Sequence, residues 1–237
     1  MIKLKNILPE SLYWPIRKFY DDKINPFYVK SYSQEGEDLI LNRILDEKKG
    51  GFYIDVGAHH PKRFSNTFFF YNRGWRGINI EARPGSKKSF DKVRPRDINL
   101  EIPISEKEEE LTYYIFNDPA LNGFSSELSK ERDDLREYKI LSEIKLKTKT
   151  LKSVLDDYLP LDQRIDFLNV DVEGLDFQVL KSNDWTTYKP TLILVEDKDF
   201  SFSDLNDSAV FAFLSSKEYL LIAKSFNTLF FHLKETI

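Results

Sequence analysis

The sequence predicts an α/β fold built on an open, mostly parallel sheet with a ligand crevice along one rim. Three observations predict it. Phe52–Val56 is an apolar run carrying Asp55 near its end and leading into a small-residue turn, Gly57-Ala58-His59-His60. Aromatics at helical spacing follow, which is the pattern of a strand entering a binding loop and a helix. Further short apolar runs carry Glu81, Asp171 and the pair Glu196-Asp197 at their carboxyl ends, with helical stretches between them.

A length of 237 residues, with 41% apolar and 14% aromatic residues, suffices for one sizeable core, so a single globular domain is the expectation. The formal net charge of -4 argues against a nucleic-acid surface. The absence of cysteine removes disulfides, thiolate metal sites and a thiol nucleophile, and points to the reducing cytoplasm. No apolar run is long enough to span a bilayer, and the N-terminus lacks the apolar core of a signal peptide. A soluble protein is therefore expected.

Residues 1–30 read as an arm. Between Ile7 and Phe19, apolar Leu8, Leu12, Tyr13, Trp14, Ile16 and Phe19 mix with Arg17 and Lys18. Such a segment docks on its own domain, on a partner, or peripherally on a membrane. Pro9 and Pro15 are expected to interrupt any regular helix there. Exposed Tyr13, Trp14 and Phe27 would form a homo-oligomer interface or cover the site.

Residues 31–237 form the expected domain. Ser31 to Asp38 reads as a capped, acid-rich helix start. The helix would end at Lys48-Lys49-Gly50-Gly51, just before the first strand. Phe64, Thr67, Phe68 and Tyr71 give the next helix, closed by Arg73-Gly74. Arg76–Glu81 is a strand with a carboxylate at its tip, Pro84 introduces another helix, and Asp97–Ser105 is a third strand. Leu111–Phe116 reads as a strand added beyond this half. Residues 117–140 read as a substrate-side insertion over the active site or a solvated charged face, with helix-forming residues from Ser126 to Leu141. Ile144–Thr150 alternates as an edge strand with lysines outward. Thr150 or Ser153 caps a helix, and Ile165–Asp171 is the fourth core strand. Gly174 opens a helix bearing Leu175, Val179 and Leu180, before the fifth core strand, Leu192–Asp197. A helix over Val210–Leu214 and a closing antiparallel pair, Tyr219–Ile222 and Thr228–Phe231, complete the chain.

One strand-end acid is commonly a helix cap. Four on one rim point to a ligand. The turn Gly57-Ala58-His59-His60 lacks the G-x-G-x-x-G spacing that lets backbone approach a pyrophosphate, which disfavours a dinucleotide. S-adenosylmethionine needs no phosphate cradle: Glu81 would hold its ribose and the first turn its amino-acid end.

Here the sequence resembles the FkbM family of S-adenosylmethionine-dependent methyltransferases. The matching stretches are Tyr32–Leu39, Tyr53–Ala58, Ser65-Asn66-Thr67, Gly74–Gly77 and Ile165–Gly174. The resemblance implies the class I methyltransferase fold, a Rossmann-like three-layer sandwich whose seven-stranded, mostly parallel sheet has an antiparallel last strand. It also implies O-methylation of a sugar, a glycan or another natural-product hydroxyl. By position, it places Asp55, Gly57 and Ala58 near the methionine end and Glu81 on the ribose. Ser33 and Gln34 would close over the cofactor, and Ser105 would lie near adenine.

A sugar hydroxyl is hardly ionised at neutral pH, so the enzyme must align it with the methyl group and remove its proton during attack. Asp171, Glu173, His59 and His60 are the candidate bases. Histidine has the useful pKa, but the adjacent pair equally suits loop packing or substrate contact. Asp171, Glu196 and Asp197 would make an all-oxygen site for magnesium or a similar cation. That arrangement is similar to the metal-dependent sugar O-methyltransferases of macrolide biosynthesis. The alternatives are a nicotinamide-dependent sugar oxidoreductase or epimerase, and a catalytically silent cofactor-binding module.

Overall fold

The computed structural model describes residues 8–25, 27–133 and 135–234. Ile7 of the N-terminal arm and Asp134 of the insertion lie outside the described residues. The chain divides into two units, residues 1–31 and 32–237. The first holds α1 (Glu10–Lys23), which runs through Pro15. This corrects the expected interruption. Proline deletes one backbone donor, and a helix of 14 residues keeps enough of its other bonds to continue. Pro9 sits just outside, at the N-cap.

The second unit runs α2 (Glu37–Ile44), β1 (Phe52–Val56), α3 (Phe68–Tyr71), β2 (Arg76–Glu81), α4 (Ser86–Val93), β3 (Ile98–Glu101), β4 (Glu110–Phe116), α5 (Ser126–Arg132), β5 (Ile140–Lys147), α6 (Leu151–Tyr158), β6 (Phe167–Val170), α7 (Asp176–Lys181), β7 (Leu192–Glu196), α8 (Ala209–Ser216), β8 (Tyr219–Lys224) and β9 (Thr228–Leu233). Seven strands form one sheet in the order β3-β2-β1-β6-β7-β9-β8. β1 is parallel to both β2 and β6, while β9 runs antiparallel to β7 and β8. The chain thus leaves β1 toward one edge and later returns to β1's other side. That reversal opens a crevice at the carboxyl ends of β1 and β6.

The period of two along each strand builds two cores. Ile54, Val56, Leu168, Val170, Ile193 and Val195 face a cluster shared with Leu151 and Leu155 of α6, Val179 of α7 and Leu214 of α8. Tyr53, Phe167, Leu192, Leu194 and Phe230 face the other side, against Leu41 of α2, Phe68–Tyr71 of α3, and Trp75. Helices on both faces make the three-layer sandwich. Among the described residues, no helix is long and apolar enough to cross a membrane.

Several elements differ from the sequence reading. β4 does not extend the large sheet; it pairs antiparallel with β5 as a separate two-stranded sheet. Strand propensity says that residues extend and not which partner they choose. The lysines do point outward there: Lys145 and Lys147 are exposed while Ile144 and Leu146 are half-buried. The helix from Ser126 ends at Arg132, and Leu141 already lies in β5. α3 is a single turn beginning at Phe68, because Phe64 takes φ +55°, outside the helical region. α2 is not capped by its preceding residue. Gly36 takes the N-cap at φ +86°, and Ser33 Oγ accepts the amide of Asp38 instead.

Candidate functional site

The crevice is walled by the carboxyl ends of β1, β2, β6 and β7, by the 34–37 loop ahead of α2, and by Tyr113, Asn122 and Phe124 from the β4 region. At its floor, Gly57 takes φ +82°, and a Cβ there would lie 1.7 Å from the Asp171 carbonyl oxygen. The β1 turn can therefore touch the β6 loop only through glycine. The amides of Gly57 and Ala58 both donate to the Ile80 carbonyl, at 2.9 and 3.1 Å, which fixes the turn against β2.

Behind this turn lies a buried polar row. Asp55 is in register with Asn79 and with Asn169, and Asn79 with Asn99, so four polar residues cross four strands on one face. Asp55 accepts Thr67 Oγ1 at 2.5 Å and Asn169 Nδ2 at 2.9 Å. Arg94, fully buried, stitches the row by donating to Thr67, Asn79, Ser65 and the Pro61 carbonyl. Burial raises the Asp55 pKa, opposed by the Arg94 charge and the two hydrogen bonds. Asp55 thus reaches the crevice wall with both oxygens engaged.

Glu81 is buried and held by two loop amides, His59 N–H to Oε2 at 2.7 Å and Arg83 N–H to Oε1 at 2.8 Å. Each oxygen keeps a further acceptor site. Burial raises its pKa, and the two amides and Arg83 oppose the rise. Gln34 and Ala58 line the crevice, whereas Ser33 and Ser105 do not. Ser33 Oγ donates to Asp38 Oδ1 at 2.9 Å, and the Ser105 amide donates to the Lys149 carbonyl. The wall near β3 is instead Ile102 and Ile104, facing Tyr113 and Phe124.

The histidines separate. His59, half-buried with φ +51°, lines the crevice. His60 is exposed, and its Nδ1 accepts the amides of Lys62 and Arg63 at 3.0 and 2.9 Å. That is a loop-packing role. Both pKa values are lowered, by burial first and then by Arg83, so both rings are neutral at neutral pH.

Asp171, Glu173 and Glu196 come together, each offering an oxygen within 4.8 Å of the others. Asp197 turns away, accepting Ser208 Oγ at 2.6 Å at the start of α8. Neighbours on a strand point to opposite faces, so the pair Glu196-Asp197 could not share one ion from one face. Two cations that the sequence reading did not single out enter the cluster. Lys198 Nζ lies 2.9 Å from Glu196 and 3.1 Å from Glu173, and Arg132 of α5 donates to Glu173 at 2.7 Å. The Asp171 carboxylate opens onto the crevice and makes no hydrogen bond or ion pair with any described residue. Desolvation by the crevice walls, then the charges of Glu196 and Glu173, push its pKa well above the ordinary carboxylate value. Glu196 is raised by burial as well, with Lys198 opposing. Below them, buried Asp176 accepts the amides of Val172 and Gly174 and is pushed up to about 7 by burial.

The methyltransferase FkbM domain matches residues 55–221 of this chain. No curated protein matches the sequence. Among solved structures, a TehB-like S-adenosylmethionine-dependent methyltransferase from Corynebacterium glutamicum aligns over 95% of this chain and 97% of its own length, at 10% identity and a TM-score of 0.39.

Proposed function

Since the chain belongs to the FkbM family of S-adenosylmethionine-dependent methyltransferases, we propose that it methylates a hydroxyl of a sugar, a glycan or a sugar-bearing metabolite, with Asp171 as the proton acceptor. The observation that carries this reading is the Asp171 carboxylate, without a partner among the described residues and open to the crevice beside the Gly57 turn.

The donor set suits the cofactor. Glu81 is a buried carboxylate steered by two amides, with acceptor capacity left for ribose hydroxyls. Ile102, Ile104, Tyr113 and Phe124 supply an apolar wall for a base without phosphates. When bound, the sulfonium supplies the methyl group and the leaving group. Asp171 would accept the proton of the acceptor hydroxyl as that oxygen took the methyl group, the electron pair of the broken carbon–sulfur bond staying on sulfur. His59, neutral and on the wall, orients the acceptor. A divalent ion on Asp171, Glu173 and Glu196 would have to displace Lys198 from two of its three ligands, and no step of this reaction passes through one.

Calorimetric titration with S-adenosylmethionine, followed by mass spectrometry of a panel of sugars and sugar nucleotides, tests the reading. Binding together with one added methyl on an acceptor oxygen is the expected result. Methyl transfer to nitrogen or sulfur acceptors alone would overturn the hydroxyl assignment. Glu81→Ala should weaken cofactor binding by about 1–3 kcal/mol; unchanged affinity removes Glu81 from the site.

A further inference from the structure

We propose that Lys198 is the cation of this active site: its ammonium occupies the place between Glu173 and Glu196 that a divalent ion would need, which makes the reaction independent of metal. The inference rests on the methyltransferase reading for its catalytic consequence, although the occupancy it asserts can be measured without any acceptor.

Three carboxylates close enough to share an ion carry three negative charges into a concave site. Left uncompensated, they would repel one another and draw in a hard cation. Here compensation is built into the chain. Lys198 follows β7 by two residues, and its Nζ bridges Glu196 Oε2 and Glu173 Oε2 at 2.9 and 3.1 Å. Arg132 reaches the same Glu173 oxygen from α5. Two of the three acids are therefore paired, and the third, Asp171, has no partner among the described residues and lines the crevice.

The pairing divides labour within the cluster. An ammonium 2.9 and 3.1 Å from these oxygens repels a second cation on the same carboxylates, so an ion that demands several oxygen ligands at short range must displace it. Lys198 thus keeps Glu173 and Glu196 in place as a fixed counter-charge and leaves Asp171 for the substrate hydroxyl. Glu173 has φ +53°, and the left-handed turn into Gly174 aims its side chain toward both Arg132 and Lys198. Lys198 is a positioning residue, because it acts through the two glutamates.

Manganese titration of chelator-treated protein, followed by the electron paramagnetic resonance signal of the free ion, tests this directly. Wild type and the charge-keeping Lys198→Arg variant should leave the signal unchanged. Lys198→Met keeps the stem and removes the charge. It should bind one manganese ion at least about tenfold more tightly than wild type, and adding Asp171→Asn should abolish that binding. Thermal melts establish that each variant is folded. Stoichiometric manganese binding by wild type at this cluster would overturn the proposal, as would a folded Lys198→Met that binds none. Should Lys198→Met not fold, the wild-type and Lys198→Arg titrations still decide it. Methyl transfer by wild type in excess chelator is the catalytic counterpart, and its loss on chelation with rescue by magnesium would also overturn the proposal. Failure of S-adenosylmethionine to bind would sink the functional reading and leave the manganese result standing.

Discussion

Asp55 shares its carboxylate oxygens between Thr67 and Asn169, whereas Asp171 shares neither. Both are strand-end aspartates, and their surroundings give them different work. Raising the Asp171 pKa means that the folded chain holds this proton to higher pH than the unfolded chain does. Between the ordinary aspartate range, near pH 4, and the raised folded value, the native state binds more protons. Stability therefore falls as pH rises through that window, while methyl transfer, which needs the ionised form, rises. Thermal melts and rates across this range should show opposite trends, and Asp171→Asn should make the melt series shallower, leaving the slope of the other raised acids such as Asp176, and cut turnover by about a hundredfold or more. A pH slope in stability that survives Asp171→Asn belongs to other groups. Arg94 is the opposite kind of charge, purely internal. Arg94→Met leaves Asp55, Asn79 and Ser65 facing a lost cation and should cost about 3–5 kcal/mol in denaturant unfolding. A loss under 1 kcal/mol, on the order of an ordinary surface change, would show that the row does not depend on it.

At the scale of elements, the loop before α2 sets an expected binding contact beside an observed structural one. Tyr32–Leu39 matches the family pattern, and the sequence reading put both Ser33 and Gln34 over the cofactor. Asp38 instead gathers the loop inward, accepting the Tyr32 amide at 2.7 Å and Ser33 Oγ at 2.9 Å. Glu37 ties the same turn to Ser225 beyond β8. Ser33→Ala should therefore lower stability by about 1 kcal/mol and leave cofactor affinity unchanged by calorimetry. A selective loss of affinity would return Ser33 to the binding surface. The β4–β5 sheet makes the complementary point. Its alternation was legible, but its partner was not, since each strand fits the large sheet or the other equally well until tertiary contacts choose.

Over the whole molecule, every residue of the crevice lies within residues 32–237. A chain beginning at Tyr32 should retain the seven-stranded sheet and bind S-adenosylmethionine as the full chain does, which circular dichroism and calorimetry would check. Loss of folding would give residues 1–31 a structural role. Retained binding with lost transfer to a membrane-bound or polymeric acceptor would support the arm as a docking segment, consistent with the exposed Leu12, Trp14, Ile16 and Phe19 of α1.

Residue order alone determined the strands, because a period of two and an acid at each carboxyl end are local signals. It also determined the rim on which Asp55, Glu81, Asp171 and Glu196 meet, since a parallel sheet aligns its strand ends. The separation of Asp197 from Glu196 followed from the same alternation and was legible in principle. Only the tertiary structure decided which acids are free. Arg94 reaches Thr67, a partner of Asp55, from 27 positions away in sequence, Arg132 reaches Glu173 from 41, and no spacing rule links them. Charge compensation is settled by what packs alongside, and that is a property of the folded chain.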